Sequence, residues 1–309
     1  MKKKIIWSVV SVIVLLIIAV GGYAYYMYDS VKGTAEDMHE EVKRTKPKDS
    51  PNITEKKDEP AEPISILMMG VDERENDRGR SDALILMTLN PEKEKMQMIS
   101  IPRDTRTEII GHGTTDKINH AYAFGGTKMA IETVENFTDI PVDYYIRVNM
   151  EALSSLVDAM GGVTVHNELD WYDEGYYKKG YHYHEGDIKL NGPKALGYVR
   201  MRHLDPNGDF GRNDRQRQII TAIIDKASNV SAVTKFDDIL NVLGSNVKTD
   251  MTFDDMMNIQ KNYRSARNKI EQYEIKGQGG LIGGTYYLTV PEDEQDKVTE
   301  MLKDNLAIS

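Results

Sequence analysis

ISILMMGVDERENDRGRSDALILMTLNPEKEKMQMISIPRD, residues 64–104, decides the fold. Ile64–Met69 is a short apolar run ended by Gly70 and reads as a buried strand. Ala83–Leu89 is a second such run, and Met96–Ile101 a third, stopped by Pro102. Asn90–Lys95, between the last two, reads as a turn. If the first strand runs up, the second runs down and the third up. Asp72 and Arg74 then follow the upper end of the first strand, and Arg80 and Asp82 precede the upper start of the second. Arg103 and Asp104 follow the upper end of the third. All six meet on one edge of a sheet, where loops of α/β proteins bind ligands.

Working outward, the periodicity predicts helices over Lys128–Phe137, Glu151–Met160, Lys194–Tyr198, Asp214–Lys226, Phe236–Leu243, Phe253–Tyr263 and Glu292–Leu306. Tyr144–Val148, Val163–Val165, Tyr273–Ile275 and Tyr286–Val290 read as further strands. Strands alternating with helices give an α/β fold, one domain over 63–309 built on a mixed sheet. No internal repeat is visible.

Ten of the fourteen arginines fall in two short segments, although the 309-residue chain carries a net charge of −10. Arg74, Arg78, Arg80, Arg103 and Arg106 form the first; Arg200, Arg202, Arg212, Arg215 and Arg217 form the second. Arginine is suited to bidentate recognition of phosphate or carboxylate. One reading is a single anionic ligand held at one place; the other is a set of structural ion pairs. In an extended stretch Arg200 and Arg202 point to the same face. On a helix Arg212, Arg215 and Gln216 share a face that Ile219, Ile220 and Ile223 continue into the core. Arg217 lies well round that helix and reads as a solvated or surface-paired charge. Two carboxylates among many guanidiniums suggest a divalent metal plus a phosphate ester, with Asp72 and Asp82 offering oxygens to Mg²⁺. Salt bridges from these two to Arg74 and Arg80 are the alternative.

The absence of cysteine removes disulfides, thiolate metal sites and cysteine nucleophiles. The acidic balance argues against a general nucleic-acid binder. Lys2, Lys3 and Lys4 precede an uncharged run from Ile5 to Tyr28, about 36 Å long as a helix and enough to span a bilayer. The lysines keep residues 1–4 cytoplasmic and put the rest outside, with Trp7 and Tyr23, Tyr25, Tyr26 and Tyr28 as interfacial belts. A signal peptide cleaved near Ala19-Val20-Gly21 is the alternative. Residues 29–62, rich in Lys, Glu, Asp and Pro, read as an extracytoplasmic linker with a helical start.

GVDER, GRSDALILMTL, SIPRDT, DKINHAYAFGG, VDAMGGV, LNGPKALGYVRMR and DFGRNDRQRQIITAI, in this order, resemble the LytR-CpsA-Psr family of Gram-positive bacteria. The resemblance covers about residues 63–227, behind the same single membrane anchor, and is closest to the Bacillus-type members that attach wall teichoic acid. It implies an α/β/α sandwich with a central mixed sheet, an apolar pocket for a polyprenyl tail and an arginine-lined mouth for its diphosphate. Asp72 and Asp82 fall on the family's metal positions, which implies Mg²⁺ or Mn²⁺. Arg80, Arg103, Arg200, Arg202, Arg212 and Gln216 fall on the diphosphate-binding mouth. Arg74, Asp104, Lys117 and Arg215 match family motifs without an assigned role.

The implied reaction moves an anionic glycopolymer, wall teichoic acid, from an undecaprenyl diphosphate carrier to the C6 hydroxyl of N-acetylmuramic acid in peptidoglycan. Undecaprenyl phosphate leaves; Arg103 stabilises charge, and Asp82 is the candidate to activate the hydroxyl. The setting is the outer leaflet of the cell membrane. A prenyl-diphosphate pyrophosphatase and a non-enzymatic envelope regulator or transcriptional attenuator are the competing readings. In WYDEGYYKKGYHYHEG, His182 and His184 alternate across a tyrosine as a metal pair would, but a surface strand rich in aromatics is the preferred reading. Its tyrosines are candidates for stacking on sugars.

Overall fold

The computed structural model describes residues 21–44, 61–73, 79–228 and 236–308. A helix over residues 21–38 (α1) comes first. Strands β1 (Ile64–Val71), β2 (Ser81–Asn90) and β3 (Lys95–Ser100) follow, then a small hairpin of β4 (Arg106–Ile109) and β5 (Thr114–Lys117). Next come α2 (His120–Thr138), β6 (Tyr144–Asn149), α3 (Met150–Ala159) and β7 (Val163–Asn167). Two-residue strands β8 (Trp171–Tyr172) and β9 (His182–Tyr183) precede β10 (Gly186–Leu190), α4 (Gly192–Arg200) and α5 (Asp209–Ser228). The C-terminal part holds α6 (Phe236–Asn246), β11 (Val247–Thr249), α7 (Phe253–Asn262), β12 (Lys269–Glu274), β13 (Gln278–Ile282), β14 (Thr285–Thr289) and α8 (Glu292–Leu306).

The main sheet has the order β11-β6-β1-β2-β3-β12. β1 and β2 are antiparallel, as are β2 and β3, while β1 pairs β6 and β3 pairs β12 in parallel. The up-down-up reading of the first three strands therefore holds, and the sheet is mixed. Their near-continuous apolar runs follow from cover on both faces. Leu67, Met69, Val71, Leu84, Leu86 and Ile99 pack one way, against α2 and against Val298, Leu302 and Leu306 of α8. Ile64, Ile66, Ile85, Met87, Met96 and Met98 pack the other way, with Met256 and Ile259 of α7 against them. The result is helix, sheet and helix in layers. A third cluster joins α3, α4, α5, β7 and β10 beside the sheet.

α2 begins eight residues earlier than its periodicity predicts, because the chain bends inside it. Gly126 has φ +67°, a conformation that favours glycine, and lets a first segment from His120 join the rest at a kink. The start of the expected linker is drawn into the fold. Glu40 N–H donates to Thr249 O at 2.8 Å, and Arg44 pairs with Asp250 at 3.1 Å and Glu135 at 3.5 Å. Charged residues in a polar stretch look solvated until their partners, 91 to 209 positions on, are brought beside them. The expected membrane span lies outside the described residues up to residue 20, and so do Lys2–Lys4 and Trp7. Among the described residues no helix is long and apolar enough to cross a membrane.

Candidate functional site

The upper sheet edge gathers the predicted groups. Asp72 follows β1, Asp82 lies at the start of β2, and Arg103 and Asp104 follow β3. Asp72 N–H donates to Arg80 O at 3.3 Å, so the ends of β1 and β2 stay adjacent. Arg103 Nη1 pairs with Asp82 Oδ1 at 3.0 Å, and its Nε lies 3.7 Å from Asp104 Oδ2. Lys117 Nζ pairs with Asp104 Oδ1 at 2.6 Å. Asn119, just before α2, donates to Asp82 Oδ1 at 3.4 Å. Arg80 is exposed at this edge, and Arg74 lies outside the described residues.

The second arginine segment closes over the same edge. Arg200 Nη2 lies 4.0 Å from Asp72 Oδ1. Arg202 and Arg212 approach Asp209 Oδ1 at 3.9 and 3.1 Å. Arg103, Asp104, Lys117, Arg202 and Asp209 line an open cleft of about 480 Å³, together with Phe210 and Tyr286. A smaller recess, lined by Arg103, Arg212, Asn213 and Glu274, adjoins these same residues. The predicted extended stretch through Arg200 and Arg202 is corrected. Arg200 ends α4, which Asn191 caps by accepting from Lys194 N–H, and the chain turns at buried Met201.

Three segment-two residues differ in role. Arg215 is buried: its Nη1 pairs with Asp205 at 2.5 Å, while Nε and Nη2 donate to Tyr198 O at 3.1 Å and Met201 O at 2.5 Å. It fastens the end of α4 and the following loop to α5. Gln216 is buried one turn beyond Arg212. Arg217, expected at the surface, is only 3 % exposed and bonds Ser100, Asp214 and Glu274. The helical wheel puts it away from Arg212, but β3 and β12 cover that side too.

The electrostatics leave donors unspent. Arg212 is 7 % exposed, and its Nε and Nη2 have no hydrogen-bond partner among the described residues; neither does the buried Nε of Arg103. Buried donors of this kind carry a desolvation penalty until an acceptor arrives. Burial and the neighbouring Arg103 lower the Arg212 pKa. Burial also opposes the charge on Arg103, but Asp82, Asp209 and Asp104 more than offset it and raise that pKa. Arg103 and Asn119 both engage Oδ1 of Asp82, which leaves Oδ2 without a partner among the described residues. Asp72 and Asp82 both bring carboxylate oxygens to this sheet edge, a donor chemistry that would suit Mg²⁺ or Mn²⁺. Sequence reading missed Asp209, Asn119 and Glu274. Burial pushes the Glu274 carboxyl up from 4.5 to about 7, with Asn213 and Arg217 pulling it back. Glu274 ends a strand of the C-terminal segment, and only the pairing of β12 with β3 brings it here.

The model of the LytR_cpsA_psr family matches residues 25–304, well beyond the motifs at 63–227. A Bacillus licheniformis protein named polyisoprenyl-teichoic acid–peptidoglycan teichoic acid transferase TagU is 48% identical over 306 residues, covering 99% of this chain and 97% of that one. The crystal structure of Bacillus subtilis TagU is 48% identical with a TM-score of 0.64, covering 79% of this chain and 97% of that chain. A structure of TagT bound to LI-WTA is 29% identical with a TM-score of 0.71, covering 87% of this chain and all of the other.

Proposed function

Because the chain belongs to the LytR-CpsA-Psr family, we propose that it is a teichoic acid transferase that joins an anionic glycopolymer to peptidoglycan. The observation that carries this reading is the pair of unspent buried donors on Arg212 beside Arg103. They call for an anionic oxygen acceptor in the recess beside the cleft, and a diphosphate supplies several. The donor is a polyprenyl diphosphate-linked wall teichoic acid, with undecaprenyl as the prenyl group. Its diphosphate sits between Arg103, Arg200, Arg202 and Arg212, with Arg80 at the exposed rim. Phe210 and Tyr286, which line the cleft, would offer apolar contact to the prenyl end of the donor.

An acceptor hydroxyl, the C6 hydroxyl of N-acetylmuramic acid, attacks the phosphorus that bears the sugar. A new P–O bond forms to peptidoglycan, the P–O bond to the prenyl phosphate breaks, and the acceptor proton passes to Asp82. Arg103 stabilises the charge on the transferring phosphoryl group, and positioning of this kind supplies most of the rate in phosphoryl transfer. Asp72 and Asp82 would hold a Mg²⁺ or Mn²⁺ ion, which neutralises diphosphate charge. Lys117 fixes Asp104, which in turn flanks Arg103. A lipid-borne donor places the enzyme at the outer leaflet of the cell membrane. The lysines before Ile5–Tyr28 support a single-pass anchor with the domain outside.

Purified full-length chain in detergent is incubated with prenyl diphosphate-linked teichoic acid and peptidoglycan. The expected products are teichoic acid bound to peptidoglycan and free prenyl phosphate in equal amounts. Release of sugar phosphate into solution with none on peptidoglycan would replace this reading by a pyrophosphatase.

A further inference from the structure

We propose that Asp170, His182 and His184 form a second metal site, of zinc class, that clamps the β8–β9 hairpin. It is separate from the anionic cleft and does not rest on the function above.

Alternation along β9 sets the geometry. Tyr183 is 1 % exposed and stacks on Trp171 with ring centroids 4.0 Å apart. His182 and His184, on either side of it, therefore emerge on the opposite face. Their rings lie 3.9 Å apart. Across the hairpin, Asp170 Oδ1 is 2.6 Å from His182 Nε2. One ligand atom from each of the three residues lies within 4.8 Å of the other two. Tetrahedral zinc needs donors about 3.3 Å apart, so modest side-chain turns complete the set.

Two of the three side chains are also held from outside. Tyr172 stacks on His182 at 4.4 Å, fixing its ring plane, and the Glu185 backbone N–H bonds Asp170. Supporting contacts of this kind orient metal ligands. A plain Asp–His pair would need no second imidazole. Such a pair exists nearby, where His166 Nδ1 meets Asp187 at 2.8 Å. The N₂O donor set suits zinc, unlike the all-oxygen pair at Asp72 and Asp82. Three protein ligands on an exposed face leave the fourth position to water.

The inner part of the hairpin is already tied. Beyond the pairs Trp171↔Tyr183 and Tyr172↔His182, Asp173 N–H donates to Tyr181 O and Gly180 N–H to Asp173 O, both at 2.8 Å, and the Asp173 carboxylate accepts from the Gly175, Tyr176 and Tyr177 N–H groups, so the outer end at Asp170 and His184 is where a metal adds a link. The chain has no cysteine with which to close it covalently. A metal joining Asp170 to His182 and His184 closes the hairpin at this end, and its binding energy becomes local folding energy.

The test uses full-length chain without a histidine tag, in detergent, stripped with chelator and kept in excess Mg²⁺ so that zinc does not report on Asp72 and Asp82. Zinc chloride is titrated against a chromophoric competitor, and hydrogen exchange over residues 168–187 is followed. One equivalent of zinc is expected to bind and slow exchange in that segment. His184→Ala should weaken binding about 100-fold or more, while His166→Ala stays within about twofold of wild type. His184 is exposed, so its loss leaves the fold intact. Substoichiometric zinc, or equal affinity in His184→Ala and His166→Ala, would overturn the site. Binding without slower exchange would overturn the clamp.

Discussion

Arg212 holds Nε and Nη2 in a buried position with no acceptor among the described residues, beside a second guanidinium, Arg103. A buried donor of this kind costs stability until an acceptor arrives, and in the proposed function the substrate diphosphate is that acceptor. Arg103→Ala and Arg212→Ala should each remove about 1.5–3 kcal/mol of substrate stabilisation, roughly a tenfold to hundredfold loss in kcat/KM. Transfer assays read beside thermal melts check this; wild-type activity in a folded Arg103→Ala protein contradicts the assignment. Arg217→Ala behaves differently. It breaks a buried contact to Glu274 and Ser100, so it should cost about 3–5 kcal/mol of stability, visible as a lower melting midpoint. Glu274 adds a pH dependence. Its folded pKa is raised from 4.5 to about 7, so the native state keeps a proton that the unfolded chain has lost. The contribution of this group to stability is therefore present below about pH 4.5 and lost as pH rises to about 7. Chemical denaturation of wild type and Glu274→Gln across that window should show their difference changing in this sense, and a difference independent of pH argues against the shift.

Among the elements, α5 decides whether the second arginine segment reaches the site. Its first turns present Arg212 to the recess beside the cleft, and Arg215 ties it to the end of α4 through Tyr198 O, Met201 O and Asp205. The fit is close: a Cβ on Gly211 would overlap the Asp205 carboxylate. Gly211→Ala should displace Asp205, loosen the loop 201–208 and lower transfer activity together with thermal stability. Asp205→Ala should reproduce both effects, since it leaves Arg215 buried and unpaired. Activity retained at full stability in both variants would show that this loop does not position Arg202 and Arg212. The C-terminal elements matter to the same site. β14 is tied to the loop after β3, where Leu288 N–H donates to Asp104 O at 2.9 Å, and β12 delivers Glu274.

At the scale of the molecule, the proposed metal, lipid donor and membrane anchor make predictions together. If Asp72 and Asp82 share an ion with the substrate diphosphate, each favours the binding of the other, because the ion lacks ligands without phosphate and the diphosphate repels the carboxylates without the ion. Calorimetric titration of prenyl diphosphate should give tighter binding with Mg²⁺ than with chelator, and Asp82→Asn should abolish the difference. Equal affinity under both conditions would leave the two carboxylates as partners of Arg200 and Arg103. Protease added to intact protoplasts should degrade the domain, and complete protection would contradict the proposed topology.

The sequence by itself determined the three central strands, their directions and the charged edge they share, because apolar runs and turn residues act locally. Motif order was enough for the family resemblance. It also placed Asp72, Asp82, Arg103, Arg200, Arg202 and Arg212 near one another. Only the tertiary structure separated arginines that face the cleft from those that hold it together. Arg212 and Arg217 are alike in sequence context, yet one keeps open donors and the other is spent on Ser100, Asp214 and Glu274. Helical spacing distinguishes sides of a helix, but α5 is covered on more than one side, so spacing alone does not say which side meets solvent. The docking of Glu40 and Arg44, and the arrival of Glu274 beside Asn213 and Arg217, depend on contacts between distant segments. Those contacts form when burial of the apolar layers brings the segments together, and no local pattern records them.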